Sequence, residues 1–396
     1  MRYTIGQLAE IIDGDRGKNY PKQDEFYPQG YCLFLNTGNV TKEGLTFKEN
    51  QFITKEKDEA LRKGKLKRGD IVYTTRGTVG NAGYYNSNVP YENVRINSGM
   101  VILRANGEIV DARFLYQILK SEYYRPYFKQ YCTGSAQPQL PIKNFSQIYL
   151  NVPDIKTQHR IADILSAYDD LIENNQKQIK LLEEAAQRLY KEWFVDLRFP
   201  GHENTKIVDG VPEGWNEKTL SQVANVIMGQ SPKSEFYNSE KKGLPFHQGV
   251  GSYGVRFVMD DIYSTSYTRI AEPNSILFSV RAPVGRLNIT KNKVVIGRGL
   301  AAINQTDGCQ SYLYYLLKNR FFKDNIVGNG SIFASVSKDE LLNQKFLIPE
   351  RNLMMQFEKI VSQMDKQIEN LDSKNKKLIE ARDRLLPKLM SGEVEV

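Results

Sequence analysis

The chain has 396 residues, 40% apolar and 25% charged, a globular balance that leaves room for two or three domains and excludes a disordered or fibrous polypeptide. Its formal charge of +8, from 54 Lys+Arg against 46 Asp+Glu, favours an anionic partner such as nucleic acid while leaving both signs on the surface. Three scattered cysteines, Cys32, Cys132 and Cys309, exclude a disulfide framework or zinc site and read as buried small hydrophobes of a cytoplasmic protein. No stretch approaches the roughly 20 apolar residues of a membrane span, and Met1-Arg2-Tyr3 opens no signal sequence.

Residues 1–152 alternate short Val/Ile/Tyr/Phe runs with Gly/Asn/Pro turns and one or two helices, which predicts a mixed α/β domain. It opens on Thr4-Ile5-Gly6-Gln7-Leu8-Ala9 and continues through a polar loop carrying Lys18-Asn19-Tyr20. The β-like run Ile71-Val72-Tyr73 leads into Arg76-Gly77-Thr78-Val79-Gly80, and Phe114 to Lys120 is a helix with an aromatic face. Gly134-Ser135 begins the loop that holds Gln137.

Residues 153–197 read as one long helix. Its seam runs Ile161, Leu165, Tyr168, Ile172, Asn175, Ile179, Leu182, Ala186, Leu189, Trp193, alternating steps of four and three as a heptad does. Residues 198–212 are Pro- and Gly-rich and read as a connection.

Residues 213–348 then repeat the first domain. Thr219-Leu220-Ser221-Gln222-Val223-Ala224 lies 215 positions after its counterpart, and Arg281-Ala282-Pro283-Val284-Gly285 lies 205 after Arg76. Lys233, Ser234 and Tyr237 match the polar loop, Tyr312 to Lys318 the aromatic helix, and Gly330-Ser331 the Gly134-Ser135 pair. From Pro349 onward the offset stays at 196, as a continuous helix requires and surface loops do not.

Residues 349–396 form that second helix and a tail. Its seam is Phe357, Val361, Met364, Ile368, Leu371, Asn375, Leu378, Arg382, Leu385, Leu389. A buried Asn seeks a polar partner and fixes register in coiled coils. Setting Asn175 against Asn375 in an antiparallel pair makes facing positions sum to 550 and gives every seam residue a partner, with Trp193 against Phe357. Solvation of each Asn at a fraying seam is the competing reading. Helices of this length, roughly 50 Å, exceed one turn of B-DNA, about 34 Å.

The catalytic constellations are missing: no phosphate-binding Gly-x-x-x-x-Gly-Lys-Ser/Thr, no dinucleotide Gly-x-Gly-x-x-Gly, and no Asn/Asp-Pro-Pro-aromatic methyltransferase signature. The histidines, His159, His202 and His247, have no companions at metal spacing. The first two read as surface residues. His247, in Phe246-His247-Gln248-Gly249, is a candidate for DNA contact, with turn or core packing as the alternative.

Taken together the residues resemble the specificity subunits of type I restriction–modification systems. The most specific pieces are Gly134-Ser135-Ala136-Gln137-Pro138-Gln139-Leu140, Leu189-Tyr190-Lys191-Glu192-Trp193-Phe194-Val195-Asp196 and Arg384-Leu385-Leu386-Pro387-Lys388-Leu389-Met390-Ser391-Gly392-Glu393, and the likeness spans the whole chain. The likeness implies two target-recognition domains, which with the repeat and the seams above gives an α+β fold: a tandem repeat of two such domains, each followed by a long helix, the helices packing as an antiparallel coiled coil. It also implies a non-catalytic subunit whose domains each read one half of a split site on double-stranded DNA. Two methyltransferase subunits would bring S-adenosylmethionine, and restriction or translocase subunits would bring ATP and Mg. The second repeat departs from the first by having Gly330-Ser331-Ile332-Phe333-Ala334-Ser335 where the first has the Gln137 loop.

Base edges are read by side chains, while cations on phosphate fix position. Arg76 and Arg281, each between a strand and a Gly-containing turn, are candidates for phosphate or guanine contact, against an ion pair kept by both copies. Lys18, Asn19, Tyr20, Lys233, Ser234 and Tyr237 mix basic and aromatic character as DNA-contact loops do, though solvated turns look the same. Ser135, Gln137, Ser331 and Lys338 precede the last strand of each repeat, where capping the approach of the long helix is the alternative. A coiled-coil adaptor and a stand-alone DNA methyltransferase are the other function classes. Salt-dependent binding to duplex DNA would separate the first from a DNA reader, and methyl transfer by the purified chain with S-adenosylmethionine would establish the second, against which the missing motifs stand.

Overall fold

Each repeat begins with a helix start written in its opening hexapeptide. In the computed structural model, which describes residues 1–134, 137–321 and 335–396, the Thr4 hydroxyl accepts the Gln7 amide (3.3 Å) while Gln7 Oε1 accepts the Thr4 amide (2.8 Å). This capping box satisfies two orphan donors of the short helix Ile5–Leu8. Thr219 and Gln222 rebuild the box before Leu220–Val223. The hexapeptide recurs because the same helix start is needed twice.

The chain divides into one unit of residues 1–176 with 372–396 and another of residues 177–371, so each unit takes part of both long helices. In the first, a four-stranded antiparallel sheet runs in the order Ala9–Asp13, Met100–Ala105, Ile71–Thr74, Ala82–Tyr84. A three-stranded sheet sets Phe52–Ile53 and Val94–Ile96 on either side of Cys32–Leu35, the latter pair parallel. The strand Arg2–Thr4 closes the domain by pairing antiparallel with Tyr149–Asn151. Val72, Met100 and Ile102 face Leu33, Leu35, Val94 and Ile96 in one core. On the other face Ile71, Tyr73, Val101 and Leu103 pack on Phe114, Leu115, Ile118 and Leu119 of the helix Ala112–Lys120. The alternation of faces along Met100–Ala105 is what lets one strand serve two cores.

The second unit repeats the plan. Its four-stranded sheet is Ala224–Met228, Leu300–Gln305, Ile276–Ser279, Leu287–Ile289. Its second sheet has grown to five strands around the parallel pair Leu244–His247 and Val294–Ile296. Asn216–Thr219 pairs with Lys345–Ile348 as Arg2–Thr4 does with Tyr149–Asn151.

The long helices are Ile155–Phe194, of 40 residues, and Arg351–Ser391, of 41. Within the first unit Ile161 and Leu165 share a core with Leu386 and Leu389, and Asn175 Nδ2 donates to Asn375 Oδ1 at 2.8 Å. Within the second, Trp193 meets Phe357 edge to face, ring centroids 6.0 Å apart, and Ile179 and Ala186 share a core with Val361 and Ile368. Both sets of contacts are antiparallel, and the pairs Asn175–Asn375 and Trp193–Phe357 meet the sum of 550; one seam position departs from it. The seam residue Arg382 turns from Tyr168 to the neighbouring Asp169, its guanidinium 2.6 Å from the carboxylate.

Each domain is tied to its stretch of coiled coil by buried charge. Asp169 also accepts from Lys120 (3.1 Å) and Gln117 (2.7 Å) of the aromatic helix. In the second unit Arg256, 2% exposed, bonds Asp365 (2.6 Å), lies 3.4 Å from Glu183, and sits over the Tyr314 ring. A buried cation needs such pairing, because its desolvation is otherwise uncompensated. Cys32 and Cys309 are buried and Cys132 half-buried; burial, with Asp58 nearby, pushes the Cys32 thiol up to about 12.

Candidate nucleic-acid interface

In the first unit the loops that leave three sheet strands converge. Gly14, which follows Ala9–Asp13, lies so close to the loop after Val94–Ile96 that a Cβ would stand 2.3 Å from the Asn97 carbonyl oxygen. The Thr75 and Arg76 amides, after Ile71–Thr74, both donate to the Gly99 carbonyl (2.9 and 3.1 Å). The Leu140 amide donates to Thr75 O, Thr133 and Gln139 exchange backbone bonds, and Arg76 bridges Gln139. The Arg76 turn and the Gln137 segment, 61 residues apart in sequence, therefore lie side by side, both exposed. Gly77 and Gly80 take φ of 70° and 98°, which explains the glycines of this turn. The Thr74 hydroxyl accepts the Asn81 amide at 2.9 Å and latches the turn.

The second unit builds the same corner. A Cβ on Gly229 would stand 2.1 Å from the Gly297 carbonyl oxygen, the Val280 amide donates to Gly99's counterpart Gly299, and the Val336 amide donates to Val280 O. Arg281 bridges Ser335, and the Ser279 hydroxyl latches the turn by accepting the Arg286 amide at 2.8 Å. Arg281 is exposed, as is Lys338 at the start of the helix Lys338–Leu342, capped by Ser337 and Glu340. Neither Arg76 nor Arg281 forms an ion pair among the described residues, so the structure shows no pair retained by both copies.

The polar loops are divided between surface and scaffold. Lys18, Lys233 and Ser234 are exposed. Asn19 instead donates to the Ala60 carbonyl (3.0 Å), and Tyr20 packs edge-on against Phe34. Tyr237 stacks on Phe246 at 4.6 Å and its hydroxyl donates to Pro232 O. His247 is a correction: its side chain is wholly buried, with Nδ1 2.8 Å from Ser252 Oγ and Nε2 3.1 Å from Asp260 Oδ1. Core packing takes the side chain because its strand lies between two others, and no atom is left for a base edge. Ser135 and Ser331 lie outside the described residues. Asn175 and Asn375 belong to the coiled coil.

Sequence reading missed the loops 14–16, 97–99, 229–231 and 297–299. The signal was present: Gly14 and Gly229 keep the 215-residue offset of the Thr4 hexapeptide, and Gly99 and Gly299 follow matching apolar strands. Among the described residues no group of His, Cys, Asp or Glu could hold a metal, and no helix is long and apolar enough to cross a membrane.

The duplication is also seen by comparison, since the type I restriction modification DNA specificity domain matches residues 1–184 and again 212–381. The chain belongs to this family. The putative type I restriction enzyme MjaX specificity subunit of Methanocaldococcus jannaschii is 28% identical over all of the chain and 94% of its own length. The HindI specificity subunit of Haemophilus influenzae is 26% identical over 98% of the chain and all of its own length. The crystal structure of a type I restriction–modification system S subunit from M. genitalium shares the fold, with a TM-score of 0.56 at 18% identity over 98% of this chain and 95% of that one. A type I specificity subunit is the non-catalytic DNA-recognition component of its complex.

Proposed function

We propose that residues 1–152 and 213–348 are the two recognition domains and that each reads one half of a bipartite site on duplex DNA. The carrying observation is that both repeats hold an exposed arginine, Arg76 or Arg281, on a latched turn bridged to the segment before the last strand. Side chains on such a cluster of short, rigid loops meet phosphates and base edges at fixed positions. Lys18, Arg76 and Gln137 serve the first half-site, with Ser135 in the same segment. Lys233, Ser234, Arg281, Ser331 and Lys338 serve the second. Asn19, Tyr20, Tyr237 and His247 shape the loops from within.

The residues at 153–197 and 349–396 dock two methyltransferase subunits, which supply S-adenosylmethionine; restriction subunits, where they join, supply ATP and Mg. The chain itself uses no cofactor and works in the cytoplasm. Methylome sequencing of cells that express the complex tests this reading: one bipartite motif, methylated in both halves, is expected. A contiguous motif, or none while the purified chain shows no salt-dependent binding to duplex DNA, would favour a protein-binding adaptor.

A further inference from the structure

The corner described above contains an exchange between the repeats. Gly14 and Gly229 are equivalent, each pressed against the carbonyl of residue 97 or 297, and Gly99 and Gly299 are equivalent, each accepting from the amide before or at the turn arginine. Counting from these fixed points, Arg16 of the first repeat matches Ser231 of the second, 215 positions on, while Ser98 matches Arg298, 200 positions on. The first repeat has arginine on the loop after its first sheet strand and serine on the facing loop. The second has the reverse.

The two loops touch in both repeats. Arg16 Nη2 donates to the Ser98 carbonyl at 3.2 Å, and the Arg298 amide donates to Ser231 Oγ at 3.2 Å. Arg16 is 43% exposed, with an i,i+3 carboxylate, Asp13, at 3.2 Å; such a surface pair is weak and leaves the guanidinium free to meet a stronger anion. Arg298 is exposed and sits between Gly297 and Gly299. A Cβ on Gly297 would be 3.0 Å from Gln248 Cα, and one on Gly299 2.4 Å from the Gln248 carbonyl oxygen. The backbone around Arg298 is thus packed as closely as glycine allows, which fixes where the side chain leaves the surface.

We propose that Arg16 and Arg298 are equivalent DNA-contacting residues, one per half-site, delivered to the same corner of each recognition domain from opposite loops. Guanidinium is the side chain best suited to bidentate contact with a phosphate or a guanine edge, and the corner already presents Arg76 or Arg281. One arginine in each repeat, at either of two touching positions, is the pattern expected when the charge is needed at a place and the loop that carries it is not.

This inference rests on the DNA-reading function, and the test separates the two. The full-length chain is incubated with a pool of duplexes of random sequence, and bound duplexes are sequenced and titrated at several salt concentrations. The parent chain is expected to select a bipartite consensus with salt-dependent affinity; if it binds no duplex, the DNA-reading function itself fails. Given parental binding, Arg16→Ser should weaken affinity roughly five- to tenfold and lower the salt slope by about one, with Arg298→Ser doing the same. A uniform loss across sequences marks a phosphate contact, and relaxation at one base pair marks a guanine. Adding Ser98→Arg to Arg16→Ser, or Ser231→Arg to Arg298→Ser, rebuilds the other repeat's arrangement and should restore most of the loss, as should the charge-keeping R16K and R298K for a phosphate. Parental affinity and slope in both serine variants, or no recovery in either double variant while its thermal unfolding matches the parent, overturns the proposal.

Discussion

Asn175 and Asn375 show what one residue pair decides. An amide placed in an apolar seam is tolerated when its hydrogen bond is made, and Asn375 is 7% exposed with its oxygen accepting from Asn175. Replacing Asn175 alone with Leu leaves that buried amide unpaired, which costs about 1–3 kcal/mol. Replacing both with Leu removes the unpaired group and adds apolar contact, so the double variant should unfold at higher denaturant than either single variant, as a chemical denaturation series would show. A double variant no more stable than the singles would mean the bond contributes little to the seam. This pair was legible in sequence because a polar residue interrupts each heptad run at a mirrored place. His247 was not, since a lone histidine after a strand looks the same whether it faces solvent or the core, and its partners Ser252 and Asp260 carry no mark of their role.

At the scale of elements, the heptads and the 196-residue offset predicted the two helices and their pairing, because seam periodicity is a property of the local sequence. The anchors that join each domain to the coiled coil were not legible. Lys120, Asp169 and Arg382 come from three separate helical segments, and charged residues on helices are ordinarily solvated. Their effect is nevertheless measurable. Burial raises the Asp169 carboxyl, but Lys120 and Arg382, with the Gln117 amide, outweigh it and hold the group below the usual carboxylate range. A carboxyl depressed in the folded state stabilises it above the unfolded value near about 4, and that contribution is lost as pH falls through the lower folded value. Asp169→Asn should therefore lower the thermal midpoint at pH 7 and flatten its decline as pH falls below about 4. A variant whose acid limb parallels the parent would show that other carboxylates set it. The recognition loops were half legible: the turn arginines stood out because both repeats carry them, whereas the loops 97–99 and 297–299 carry a repeated Gly99 and Gly299 whose place beside the turn is set only by the strands.

For the whole molecule, the duplication separates two kinds of change. The domain sequences hold the loops, and the helices hold a seam that accepts insertions only in whole heptads, since any other length rotates apolar positions out of register. Adding seven residues to each helix, at points facing one another in the sum of 550, keeps the seam intact and leaves every loop of both domains untouched. If the helices set the distance between half-sites, methylome sequencing of cells carrying this variant should show both half-site sequences unchanged and a longer gap between them. Exchanging residues 1–152 for those of another family member should do the opposite, altering one half-site and leaving the gap. An insertion variant that folds, assembles and methylates the parental motif with the parental gap would move the spacing function away from the helices, because their length would then have changed with no effect on the distance read.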